Sequence, residues 1–136
     1  MAASEQIILW AEDDDNDALL LGRAVRKARL GGSLIRVHDG EEAIQYLTGQ
    51  GCYADRAKYP LPSLLLLDVK MPRKNGFDVL QWKKSQPQLQ ALPTVMFSSS
   101  PADGDVQTAQ RLGAGRYIVK PSKPEDMVGV VQCLMG

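Results

Sequence analysis

From Leu61 the chain reads Leu-Pro-Ser-Leu-Leu-Leu-Leu-Asp, and no other stretch restricts the fold as much as these leucines with the carboxylate of Asp68 at their end. A strand that is apolar at every position has both faces covered, as in the middle of a parallel sheet. Asp68 then stands at the carboxyl edge of that sheet, where loops leave the strands and ligands collect in open α/β folds. A carboxylate at the mouth of a buried strand is costly to keep unless something there uses it.

Three more segments end in the same way. Ile7-Ile8-Leu9-Trp10-Ala11 runs into Glu12-Asp13-Asp14-Asp15, Pro93-Thr94-Val95-Met96-Phe97 into Ser98-Ser99-Ser100, and Arg116-Tyr117-Ile118-Val119 into Lys120-Pro121. If all four strands are parallel, acids, a hydroxyl and an amine meet on one rim although the sequence spreads them across the chain.

Helical spacing fills the intervals. Asp17 to Arg29 carries Leu20, Leu21, Ala24, Val25 and Ala28 on one face and stops at Gly31-Gly32. Ser33 to Val37 reads as an edge strand, where Arg36 discourages further pairing. Glu41 to Leu47, Phe77 to Lys84, Asp103 (after Pro101) to Leu112 and the segment after Lys123-Pro124 read as four further helices, the last with Met127, Val130, Val131 and Leu134 in register. Residues 51–62 read as a long polar insertion and 86–92 as a linker. Five strands alternating with five helices imply an α/β doubly wound five-stranded parallel sheet with helices on both faces.

Composition limits the function classes. Sixteen basic residues balance sixteen acidic ones without a basic block, which argues against nucleic acid as a partner. No apolar run approaches the roughly 18 residues of a spanning helix, so no membrane partner is expected and the cytoplasm is the expected location. Residues 1–136 are expected to form one domain with no effector domain attached. Cys52 and Cys133 lack metal-site spacing and read as loop and helix thiols. His38 reads as a lone imidazole, Trp10 as core and Trp82 as surface packing. Gly113-Ala114-Gly115 precedes a strand instead of joining strand to helix, which removes a nucleotide-binding loop.

Glu12, Asp13 and Asp68 on one rim repel each other, by about 4 kcal/mol per pair at 4 Å and an effective dielectric near 20. A cation answers that repulsion, and hard carboxylate oxygens suit Mg²⁺ or Mn²⁺ better than zinc. A metal beside a carboxylate can hold a phosphoryl group while the carboxylate attacks in line. Asp68 is then the nucleophile, with the Ser98 hydroxyl and the Lys120 ammonium as donors to phosphoryl oxygens. Taken singly, each motif has a plainer reading: the acids as solvated loop residues or helix caps, with Asp14, Asp15 and Asn16 as cap and first turn, the serines as a turn, and the lysine as an exposed side chain.

The ordered set resembles the receiver domains of two-component response regulators over essentially the whole chain. Glu12-Asp13 matches that family's acidic doublet, and Asp68-Val69-Lys70-Met71-Pro72-Arg73-Lys74-Asn75-Gly76 matches its D-x-x-M-P-x-x-x-G pattern. Ser98 matches the Thr/Ser after strand four, Lys120-Pro121 the Lys-Pro after strand five, and Tyr117 the aromatic switch residue. The resemblance implies a flavodoxin-like (βα)5 fold with strand order 2-1-3-4-5 and a cis Lys120–Pro121 bond. It also implies a metal bound directly by Asp13, Asp68 and the backbone carbonyl of Lys70, with Glu12 acting through water. The segment Tyr53-Ala54-Asp55-Arg56 looks like that of single-domain receivers related to phytochrome-associated regulators. Ser98 in place of the commoner Thr keeps the donor, and Lys70 flanks the acceptor site.

The expected function is a stand-alone phospho-accepting response regulator of a phosphorelay, a switch and not a metabolic enzyme, whose only chemistry is phosphorylation and dephosphorylation of its own Asp68. Its expected partners are a histidine kinase or a histidine phosphotransfer protein upstream. Downstream, a protein target or a homodimer is expected to use helix four, strand five and helix five. The alternatives are a pseudo-receiver that binds without phosphorylation and an aspartyl-phosphate phosphatase, whose usual Asp-x-Asp is broken here by Lys70.

Overall fold

A computed structural model of the chain describes residues 7–28, 33–99 and 103–135. Five strands, β1 (Ile7–Ala11), β2 (Ser33–Val37), β3 (Leu64–Leu67), β4 (Thr94–Ser98) and β5 (Arg116–Val119), form one sheet in the order β2-β1-β3-β4-β5. All four pairings are parallel. Five helices connect and cover them: α1 (Asp15–Ala28), α2 (Gly40–Thr48), α3 (Gly76–Lys84), α4 (Asp103–Arg111) and α5 (Pro124–Met135). The doubly wound sheet and its strand order agree with expectation. Among the described residues, no helix is long and apolar enough to cross a membrane.

Side-chain alternation along the strands divides the core into two layers. Ile8 and Trp10 of β1, Leu64 and Leu66 of β3, and Val95 and Phe97 of β4 pack with Leu21 and Ala24 of α1 and Met127 and Val131 of α5. Leu9, Ala11, Leu65, Leu67 and Met96 face the other way, onto Ala43, Tyr46 and Leu47 of α2, Val79 and Leu80 of α3 and Ala109 of α4. β3 is buried at all four positions, as a central strand requires, whereas both ends of the edge strand β5 are exposed.

Helix ends account for most boundary differences. α1 begins at Asp15, two residues before its apolar periodicity at Asp17, and agrees with Asp14, Asp15 and Asn16 as cap and first turn: Asp14 Oδ1 accepts from the backbone N–H of Asn16 (2.8 Å) and Asp17 (3.0 Å). α2 begins at Gly40 because Asp39 accepts from the backbone N–H of Glu42, and it ends where Gly49 turns left-handed at φ 72°. Asn75 and Asp78 form a reciprocal capping box on α3. The 86–92 linker contains a 3₁₀ turn at Pro87–Leu89. The expected α1 stop at Arg29 to Gly32, Pro101 before α4 and Ser100 lie outside the described residues.

Candidate functional site

Parallel strands deliver their C-terminal residues to one edge, and that edge is an open acidic cleft of about 430 Å³. Asp13, Asp14, Asp15, Asp17, Asp68, Lys70, Ser98 and Lys120 line it. Alternation carried one residue past β1, β3 and β5 places Glu12, Asp68 and Lys120 on the side of the sheet covered by α1 and α5. There the Lys120 Nζ donates to Glu12 Oε1 at 2.5 Å, Asp17 Oδ2 at 2.8 Å and Asp68 Oδ2 at 3.0 Å. The same ammonium lies 5.9 Å from the centre of the Phe97 ring. The Lys120 backbone N–H donates to Ser98 O at 2.8 Å, which keeps the amine and the hydroxyl residue on adjoining strand ends.

Burial decides the electrostatics. Glu12 is fully buried, and burial pushes its carboxyl up to about 7, with Asp68 adding to the rise and Lys120 opposing it. For Lys120, burial works against the charged form. Its hydrogen bonds to Asp17 and Glu12 and the charge of Asp68 outweigh that and hold the ammonium above its usual range. The amine is therefore a fixed cation at the centre of the acids.

Glu12, Asp13 and Asp68 each offer a carboxylate oxygen, and these oxygens all lie within 4.8 Å of one another. Asp13 is exposed while the other two are buried, so the group opens to solvent on one side. Three hard oxygen donors at that spacing fit a divalent cation such as Mg²⁺ or Mn²⁺, which would complete its shell with water or carbonyl oxygen. Of the sequence-expected residues, Ser98 is buried and Lys70 exposed on the cleft wall. Tyr117 is apart from them, half-buried on the opposite core layer beside α4. His38 is bonded to Glu42 through Nδ1 at 3.0 Å. Cys52 and Cys133 are exposed free thiols.

One expectation is corrected. No cis peptide bond occurs among the described residues, so Lys120–Pro121 is trans, the form an X–Pro bond ordinarily prefers by about 0.5–1 kcal/mol. Lys120 reaches all three carboxylates with the bond in that form.

Three contacts were not read from the sequence. Asp17 was assigned only to the start of α1, and its bond to Lys120 arises because α1 packs over that face of the sheet. Arg36 was assigned to edge protection, yet its Nε donates to Glu12 O at 2.9 Å and it pairs with Asp15 at 2.9 Å. Arg73, the one non-glycine residue with positive φ (63°) among those described, turns back so that its Nε and Nη2 donate to Asp39 Oδ2. This holds the loop after Asp68 against the start of α2. At the loop after Asp68 the close approach of backbone did leave a sign in the sequence, its two flanking glycines. A Cβ at Gly40 would stand 2.4 Å from Lys74 O, and one at Gly76 would stand 2.2 Å from Asp68 O.

Comparison with known proteins agrees with this geometry. Residues 8–132 match the family model of the response regulator receiver domain. The response regulator Rcp1 of Synechocystis sp. is 32% identical over 127 residues, 93% of this chain and 84% of that protein. Among solved structures, the phosphorylated cyanobacterial phytochrome response regulator RcpA superposes with a TM-score of 0.87 at 30% identity, covering 96% of this chain and 91% of that one. The response regulator RPA3017, from red light signaling of R. palustris, gives 0.89 at 32%, covering 95% and 90%. The Mn²⁺-bound form of Rcp1 gives 0.83 at 31%, covering 95% and 91%. The strand order, the acidic cleft centred on a lysine and these likenesses agree, and the chain belongs to the response regulator receiver domain family.

Proposed function

We propose that this receiver accepts a phosphoryl group on Asp68 and later loses it to water. A carboxylate oxygen of Asp68 attacks phosphorus. The bond from phosphorus to the donor's imidazole nitrogen breaks, and its electron pair leaves with the nitrogen. In the reverse phase water attacks phosphorus, the phosphorus–oxygen bond to Asp68 breaks, and the carboxylate returns as inorganic phosphate departs. The single observation that carries this reading is Lys120 Nζ 3.0 Å from Asp68 Oδ2 at the centre of a buried acid cluster. A cation fixed there is placed to stabilise phosphoryl oxygens in a partly dry site.

Asp13, Asp68 and the Lys70 carbonyl would hold a divalent cation, Mg²⁺ or Mn²⁺, with Glu12 reaching it through water. Such a cation supplies charge neutralisation of phosphoryl oxygens and orientation for in-line attack. The Ser98 hydroxyl supplies a further donor on the β4 side. The donor is a histidine kinase or a histidine phosphotransfer protein. The phytochrome and red-light context of RcpA and RPA3017 supports a photoreceptor kinase as its class. Phosphorylation draws Ser98 and Lys120 toward the new group and lets Tyr117 reorient, which alters the face of α4, β5 and α5 that a target or second copy reads. The protein acts as a switch and not as a turnover enzyme.

The test is incubation with acetyl phosphate, with and without Mg²⁺, followed by intact mass. One phosphoryl group should be added to the wild type in the presence of Mg²⁺ and none to Asp68→Asn. No adduct on the wild type would favour a binding module that works without phosphorylation, and sustained release of phosphate from a phosphomonoester would favour a phosphatase.

A further inference from the structure

An ammonium has three N–H donors, and at Lys120 three carboxylates take them. Glu12 and Asp68 belong to the strand-end site, whereas Asp17 comes from the first turn of α1. Asp17 is a first-turn acid, which suits the helix dipole, but it is not the cap of α1: Asp14 takes that role through the backbone N–H of Asn16 and Asp17. The three acceptors differ in their access to water. The Glu12 side chain is 0% exposed, that of Asp68 10% and that of Asp17 35%.

A phosphoryl dianion on Asp68 brings several oxygens that seek the same donors. The N–H now on Asp68 Oδ2 can pass to the group that Asp68 carries, and a second phosphoryl oxygen can take an N–H only from Glu12 or Asp17. Glu12 has no water to replace the lost bond, and Asp68 carries the new group, but Asp17 faces solvent and can be rehydrated on release. The Asp17 charge also repels the dianion across the shared ammonium.

We propose that Asp17 is a positioning residue for Lys120, holding the ammonium in the unphosphorylated site and competing with the phosphoryl group for it. The inference rests on Asp68 being the phosphoacceptor. Release of Asp17 opposes phosphorylation, and its return favours the dephosphorylated state. The effect depends on charge and donor number, so a neutral amide of equal size, a weaker acceptor, weakens it and a longer acid preserves it.

Two measurements on the full chain test this. The first follows the Lys120 ¹⁵Nζ ammonium signal of the unphosphorylated protein by NMR. The second titrates beryllofluoride, a phosphoryl mimic, in the presence of Mg²⁺. Asp17→Asn, whose uncharged amide oxygen is a weaker acceptor, should speed the exchange of the ammonium protons and bind beryllofluoride roughly two- to five-fold more tightly, the range for removing one partly exposed charge interaction. Asp17→Glu should retain wild-type behaviour in both, as should Asp55→Asn, which removes an acid elsewhere on the surface. An unchanged ammonium signal in Asp17→Asn overturns the positioning role, and unchanged or weaker beryllofluoride binding overturns the competition. If the wild type binds no beryllofluoride while its ammonium signal still answers to Asp17→Asn, the phosphoacceptor reading has failed and the competition falls with it.

Discussion

Asp39 shows how much one buried carboxylate can organise. It is 2% exposed, caps α2 through the Glu42 backbone N–H at 2.8 Å, and receives Arg73 Nε at 2.8 Å. Burial alone would raise its pKa, but the backbone donors and the Arg73 guanidinium prevail and hold it below the ordinary value of 3.8. A folded-state pKa below the unfolded one means that the ionised group stabilises the fold above the unfolded value. That contribution fades as pH falls below it. Asp39→Ala should therefore cost about 2 kcal/mol near neutral pH, combining a lost cap with a lost charge-assisted bond. Urea unfolding at pH 7 and pH 3 should show the difference from wild type narrowing at the lower pH. An equal difference at both would mean that the charge contributes nothing.

Among the elements, the segment 51–62 differs most from a plain polar insertion. It begins with a 3₁₀ turn at Gly51–Tyr53, and the rings of Tyr53 and Tyr59 pack with Tyr46 of α2 at centroid distances of 4.9 and 6.1 Å. Arg56 then donates to Tyr46 O at 2.8 Å, Leu47 O at 3.0 Å and Tyr59 O at 3.2 Å. The first two are carbonyls of the last turn of α2; Tyr46 O also takes the Gly49 backbone N–H at 3.2 Å, whereas Leu47 O is one that the helix cannot satisfy internally. Tyr53 Oη donates to Glu42 Oε2 at 2.6 Å and ties the insertion to the start of the same helix. Arg56→Ala should cost about 1–3 kcal/mol through the stranded Leu47 carbonyl and the lost bonds to Tyr46 O and Tyr59 O. It should also speed amide hydrogen exchange across 51–62 and the end of α2 while leaving Asp68 labelling intact. Unchanged exchange would show that the aromatic contacts alone hold the segment.

At the scale of the whole molecule, residues as distant in sequence as Glu12 and Lys120 become one site only because the strands are parallel and in the order β2-β1-β3-β4-β5. A cation that binds this assembled site and not the unfolded chain must stabilise the fold, by about 2.7 kcal/mol at 100 times its dissociation constant. For a domain of this size each kcal/mol raises the melting midpoint by about 3 °C. Mg²⁺ or Mn²⁺ should accordingly raise the midpoint of the wild type by several degrees in a thermal melt. The rise should shrink strongly in Asp13→Asn, whose exposed carboxylate carries little of the fold. An equal rise in both proteins would remove Asp13 from the metal site.

What the sequence by itself determined was the pattern that is local in the chain. Strand and helix periods, the burial of Leu64–Leu67 and the polar residue at each strand's end follow from neighbours a few positions apart, so Asp68, Ser98, Lys120 and the acidic doublet were legible together. The residue that ends α2 in the left-handed region is a glycine, Gly49, because that conformation suits a residue without a Cβ. Only the tertiary structure decided which polar groups meet. The partner of an acid depends on which helix covers which face of the sheet, and on where a loop turns back. So Asp17 beneath Lys120, Arg73 on Asp39 and Arg56 on the end of α2 left no periodic trace. Contacts of that kind are set by packing across the fold, and sequence spacing carries no record of it.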